Sequence, residues 1–175
     1  EVINTAKAHA LATESFSSFD EAVGTGKLIF SFGQLNYDGS GDVMGQEVNA
    51  DRASHTIDIN ESNRSLSGIR DAINNANMGV SASIVNDGSG YRLLMTSNET
   101  GVENAIRIEA QDESGNLLTS GLAALSFNES QTMSSGLTQT AAAEDAQLQV
   151  NGLMITRDSN VVDEVIPGVS LNLQG

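Results

Sequence analysis

Apolar and polar positions along the chain alternate more often than they recur at helical spacing, and one passage breaks that rule. In "GTGKLIFSFG", Leu28, Phe30 and Phe32 alternate with Lys27, Ile29 and Ser31, which predicts a half-buried strand. "HTIDIN" repeats the alternation through Ile57 and Ile59. Between them, "NYDGSGDVMGQEVNADRAS" (36–54) reads as a polar, Gly-bearing hairpin loop or meander. Then the period changes. Leu66, Ile69, Ile73 and Ala76 lie 3, 4 and 3 residues apart, which places them on one stripe of a helix of about three turns. Ser65 is the predicted N-cap, and Gly79 the point where the chain leaves through a left-handed conformation. So short a helix needs a sheet to lie on. "VSASIVN" and "YRLLMTS", joined by "DGSG", supply a hairpin next to it, and "NAIRIEA" adds a strand through Ile106 and Ile108.

The two ends are less regular. In "EVINTAKAHALATESF", Val2, Ile3, Ala6, Ala10 and Leu11 fall loosely on one helical face, and an extended lead-in fits the same residues. After Asp112 the chain turns rich in Ser, Thr and Gly and reads as a connection between two packing units, with a short helix around Leu122–Leu125. "AQLQVNGLMITRDSN" predicts a hairpin about Asn151-Gly152. "VVDEVIPGVSLNL" predicts another about Pro167-Gly168, with a last strand through Val169, Leu171 and Leu173. The fold class is α+β and strand-rich.

Composition narrows the function classes. At 175 residues the chain can form one domain or two small ones. Aromatics are only 4%, so the core must rest on Ile, Val, Leu and Ala. Eight basic residues against 23 acidic give a net charge of −15, which repels phosphate backbones and anionic bilayers; neither nucleic acid nor membrane is an expected partner. The acidic residues are scattered, as on a solvated surface. No stretch approaches the roughly 18 apolar residues of a membrane-spanning helix. The absence of cysteine removes disulfides and thiolate metal sites, and suits a cytosolic protein or a secreted bacterial one that stays unlinked. A start at Glu1, with no signal peptide, reads as an excised fragment.

Candidate chemistry is sparse. "GTGK" at Gly24–Lys27 lacks the P-loop pattern, since Glu21 and Leu28 stand where a Gly and a Ser or Thr belong. "DGSGD" offers oxygen donors at Asp38, Ser40 and Asp42, but Asn49 occupies the position of the bidentate Glu of a calcium loop. His9 and His55 have no partner at metal-ligand spacing, and Ser54 and Asp51 beside His55 do not by adjacency make a triad. Catalysis would rest on carboxylates alone, as in a glycosidase pair, yet the aromatic platforms that hold sugars are nearly absent. Asn60, Asn63, Asn98 and Asn128 begin Asn-x-Ser/Thr sequences, common by chance in so polar a chain. No residue is singled out as catalytic, cofactor-binding or metal-ligating, and no cofactor is expected.

The passage "GIRDAIN", "GVSASIV" and "GYRLLMTS" resembles the IN motif of flagellins and hook-associated proteins, with Ile73-Asn74 as the eponymous pair. "DAQLQVNGLMITRDSNVVDEVIPGVSLNL" is similar to the segment that follows it in the flagellar filament-capping family, and "AKAHALATESF…GTGKLIF" resembles that family's lead-in. The resemblance implies a structural, non-enzymatic component of the bacterial flagellum: a ring-forming cap, extracellular at the filament tip, beneath which flagellin folds and joins. Its implied partners are further copies of itself, flagellin, hook–filament junction proteins and an export chaperone before secretion. It also implies an inserted distal domain at about 20–125, with 1–19 and 126–175 forming a second domain nearer the legs. An outer domain of flagellin or another hook-associated protein, and a tip adhesin for host glycans or mucin, are the alternative readings. The charge of −15 and the missing legs predict a monomeric or weakly associating fragment.

Overall fold

The computed structural model describes residues 1–39, 43–128 and 136–174. Its elements run β1 (Val2–Asn4), β2 (Ala8–Thr13), β3 (Gly26–Tyr37), β4 (Val43–Val48), β5 (His55–Ile59), α1 (Leu66–Asn75), β6 (Val80–Asn86), β7 (Tyr91–Thr100) and β8 (Ile106–Gln111). They continue as β9 (Leu137–Ala141), β10 (Ala146–Val150), β11 (Leu153–Arg157), β12 (Val161–Ile166) and β13 (Val169–Asn172), with 3-10 turns at Val102–Asn104 and Gly121–Leu125. Every ladder is antiparallel. The fold is the strand-rich α+β arrangement that the alternation predicts.

Four layers of pairing organise the strands. One sheet runs β6-β7-β2-β9; a second is built on β3; β1-β10-β11 and the hairpin β12-β13 make up the remainder. β3 is long enough to serve three ladders. Its first half lies between β5 and β8, and from Gly33 onward it pairs with β4. At Gly33 the backbone of β4 comes so close that a side chain would collide with the Glu47 carbonyl oxygen and the Asn49 amide.

The inward faces of the first two sheets and of α1 share one core. Leu28, Phe30 and Phe32 of β3 are sealed from solvent, as are Leu93 and Met95 of β7, Ile106 and Ile108 of β8, and Leu66, Ile69 and Ile73 of α1. A separate, much smaller core holds Ala6, Ala146, Leu148, Val162 and Leu173.

Three expectations need correction. Of the two readings of residues 1–16 the helical one fails and the extended one holds: β1 and β2 are strands, and β2 lies between β7 and β9. Its Ala-rich sequence has high helix propensity, but a strand enclosed on both edges and buried on its inner face takes its conformation from its neighbours. The α1 stripe also ends differently. Ser65 does cap the helix, accepting the Gly68 N–H at 3.1 Å, but Ala76 is the exposed C-cap rather than part of the buried stripe. The chain turns left-handed at Asn77 (φ 47°), two residues before Gly79 (φ 84°). Within 36–54, the segment 43–48 is a full strand, β4.

Candidate functional site: the junction and the apolar face

The IN pair divides its labour between core and edge. Ile73 fills the main core. The Asn74 side chain grips the next strand, donating from Nδ2 to the Ala82 carbonyl (2.9 Å) and accepting the Ala82 N–H at Oδ1 (2.8 Å). β6 is the edge of its sheet, so these two bonds occupy backbone groups that no strand satisfies. One amide thereby fixes α1 onto the sheet it covers.

The two cores meet where the chain crosses between them. Lys7 and Glu144 face each other as a backbone bridge, with Lys7 N–H to Glu144 O at 2.8 Å and Glu144 N–H to Lys7 O at 3.2 Å. Their side chains add an exposed ion pair at 3.0 Å, worth little in water. The turn after β7 completes the crossing. Gly101 donates to the Lys7 carbonyl at 3.2 Å, Val102 N–H to Asp145 Oδ1 at 2.9 Å, and Thr100 Oγ1 to the Asp158 carbonyl at 2.6 Å. Gly101 has φ 94° and rests against Asp158, so any side chain there would be both strained and obstructed. Asn160 does for Ala6 what Asn74 does for Ala82, bonding its N–H (2.7 Å) and its carbonyl (2.9 Å).

Around the smaller core, large apolar side chains face solvent. On β1 and β11 these are Val2, Ile3, Leu153 and Met154; Leu153 is 71% exposed. On the β12-β13 hairpin they are Val161, Ile166 and Val169. So many exposed large apolar side chains around so small a core are suited to being covered.

The positions considered for chemistry are scattered. His9 lies in β2 and is fully buried; it pairs with Gln139 and the Ile106 amide rather than with a serine or carboxylate. His55 opens β5 opposite Phe30. Lys27 lies near the start of β3 on an open groove of about 890 Å³ together with Asp58, Glu61, Asp112 and Glu113. Asp112 there is spent on its own turn, accepting from the side chain and backbone of Asn116 and from Ser114; the Asn116 side chain, first of these, holds its carboxyl below the usual range. Ser40 and Asp42 of "DGSGD" lie outside the described residues. Asn60 and Asn63 are engaged in the turn before α1, Asn98 accepts from Ser81, and Asn128 is buried. Among the described residues, no group of three or more His, Cys, Asp or Glu could hold a metal ion.

Comparison with known proteins follows the same division. Residues 36–99 match the flagellin hook IN motif, and residues 143–175 match the flagellar hook-associated protein 2 C-terminus. Flagellar hook-associated protein 2 of Escherichia coli (strain K12) is 44% identical over 115 residues, 65% of this chain and 23% of that protein. The B-type protein of Pseudomonas aeruginosa is 37% identical over 124 residues, 67% of this chain and 26% of its own length. The crystal structure of the D2-D3 domains of the flagellar cap protein FliD from Escherichia coli aligns with TM-score 0.77 and 36% identity, over 99% of this chain and 80% of that one. The chain belongs to the flagellar hook-associated protein 2 (FliD) family. It spans about a quarter of the length of the curated relatives it matches. FliD from Pseudomonas aeruginosa PAO1 aligns over 100% of this chain and 72% of its own, with TM-score 0.70 and 28% identity. The IN-motif match runs from the end of β3 through β7, and the C-terminal match opens at the Lys7–Glu144 crossing and takes in the strands of the smaller core from β10 onward. What sequence reasoning missed was the crossing itself, whose signal was only a small polar set (Asp145, Asp158, Asn160) among many similar residues.

Proposed function

We propose that this chain is the outer, plate-forming part of a flagellar filament cap, an extracellular structural component at the filament tip that promotes flagellin assembly. The observation that carries the reading is the alignment of 99% of the chain with the D2-D3 domains of a FliD cap protein. The whole protein assembles with further copies of itself and meets flagellin and the hook–filament junction, after delivery by an export chaperone; it catalyses no reaction. The two cores support a two-domain plate: an inserted unit bounded by Lys7 and Glu144, and a second unit formed by the flanks. These bounds are wider than 20–125, because β2 and β9 complete the inserted unit's sheet. The exposed apolar side chains of β1, β11 and the β12-β13 hairpin are the contacts that the assembled protein covers.

The test is complementation. The full-length parent is expressed in the source strain's own cap deletion, and flagellin is measured in cells and medium. Filament growth with loss of flagellin leakage is the expected result. Continued leakage from cells that export the protein would overturn the capping function.

A further inference from the structure

Among the described residues, His9 is the one buried titratable group whose hydrogen bonds join the two sheets of the main core. Its β2 strand belongs to the first sheet, and its Nδ1 receives the backbone N–H of Ile106 (3.0 Å), the first residue of β8 in the second. Its Nε2 lies 2.9 Å from Gln139 Oε1 on β9, and Tyr37 at the end of β3 donates its hydroxyl to that same oxygen at 2.8 Å. The Phe127 ring is 5.5 Å away, centroid to centroid.

The chemistry of these partners fixes the ring's state. A backbone N–H can only donate, so Nδ1 must present a lone pair, and a neutral imidazole then carries its proton on Nε2. Gln139 accordingly presents its oxygen, which accepts from both His9 and Tyr37. A second proton has nowhere to go: an N–H at Nδ1 would point at the Ile106 N–H, and the new charge would lie in an apolar enclosure.

Among the described residues, no carboxylate bonds to the ring. From β9 the facing group is Gln139; from β8 it is the Ile106 amide; from β3 it is Tyr37, through Gln139; beside β8 it is Phe127. Tyr37 is the sole titratable group among them, and burial first of all raises its pKa, keeping it neutral. Charged residues on or beside these strands are placed elsewhere: Lys7, just before β2, pairs with Glu144, Arg107 of β8 with Glu109 and Arg92 of β7 with Asp87, while Glu99 of β7 is exposed and Lys27 of β3 lines the open groove.

We propose that His9 is an acid-released latch: neutral, it ties β2 and β9 to β8 and β3, and on protonation it lets the two sheets of the inserted unit part. Burial lowers the affinity of His9 for its proton, with the Gln139 bond opposing more weakly. The sign follows. Above the free imidazole pKa of about 6.5 the latch contributes in full; as pH falls below it, the unfolded chain takes up a proton that the folded one refuses, and stability declines until the folded pKa is reached. One linked proton raises the unfolding constant up to about tenfold per pH unit in that interval.

The experiment is urea unfolding of this 175-residue chain between pH 5 and 8, alongside nitrogen-15 spectra of its two imidazoles. Wild type is expected to show His9 as the Nε2–H tautomer at neutral pH, and an unfolding constant that climbs below pH 6.5. His9→Asn places a non-titrating oxygen near the Nδ1 position and should flatten the climb, whereas His55→Asn should leave it unchanged. A folded-state His9 that titrates near 6.5 without disturbing the Ile106 amide would overturn the latch, as would a slope that survives in His9→Asn. If His9→Asn does not fold, the wild-type imidazole titration decides alone. None of these readouts involves capping, so the latch can fail while the capping function stands, and the reverse.

Discussion

The main core and the smaller core solve the same problem with unequal means. The main one closes two sheets and a helix over Phe30, Phe32, Ile73, Met95 and Ile106, all sealed from solvent. Among the described residues the smaller one has five buried residues, two of them alanines, and surrounds them with exposed valine, isoleucine, leucine and methionine. Sets of strands that small seldom bury enough to stand alone. Its coherence comes from polar stitching (Asn160 to Ala6, Asp145 to Val102, Asp158 to Thr100) and from the strand crossing at Lys7 and Glu144. The lesson is one of dependence. The larger cluster is closed over by its own sheets and helix, whereas the smaller one is tied to it by backbone and side-chain bonds and leaves large apolar side chains outward.

The sharpest break of that comparison is Phe30→Ala, which leaves a cavity at the centre of the main core and should cost about 3–5 kcal/mol. Because the smaller unit depends on its neighbour, urea unfolding monitored in both units should show a single earlier transition. Leu148→Ala should cost about 2–3 kcal/mol and act on one side only. Amide exchange should rise across β10 to β13 while β3, β7 and β8 stay protected. If both units loosen equally, the asymmetry is wrong.

Asn74→Ala removes both bonds to Ala82 and should cost about 1–2 kcal/mol, read as a lower urea midpoint with faster exchange at the α1–β6 contact. Ser65→Ala, at the other end of the same helix, should cost about 1 kcal/mol. Smallest of all is the pair Leu153→Ser and Met154→Ser, expected within about 0.5 kcal/mol of the parent. In the full-length protein the same pair should weaken assembly, measured as flagellin leakage. A large loss of fold stability would instead mean that these side chains belong to the small core.

Sequence legibility followed the same division. Where burial is one-sided, the pattern shows it: Leu28, Phe30 and Phe32 alternate, Leu66, Ile69 and Ile73 recur at helical spacing, and Asn151-Gly152 marks its hairpin with φ of 50° and 85°. β2 was ambiguous between helix and extended chain because its alanines and leucine carry a helical preference that its two flanking strands override. β4 was hidden by exposed Met44 and Val48, and by a Gly and a Gln that look like loop.

The sequence by itself therefore determined the local elements, the IN-motif helix and its hairpin, the acidic surface and the family resemblance, since each rests on neighbours within a few turns or strands of chain. Tertiary structure alone decided the rest. Asn74 is any exposed asparagine until β6 lies beside it, and Lys7 and Glu144 are ordinary surface charges until their backbones cross. His9 is one of two histidines with no partner at close spacing until Ile106 and Gln139, about 100 and 130 residues away, close on its two nitrogens. Hydrogen bonds between such distant residues are set by how the sheets pack, and no period along the chain records them.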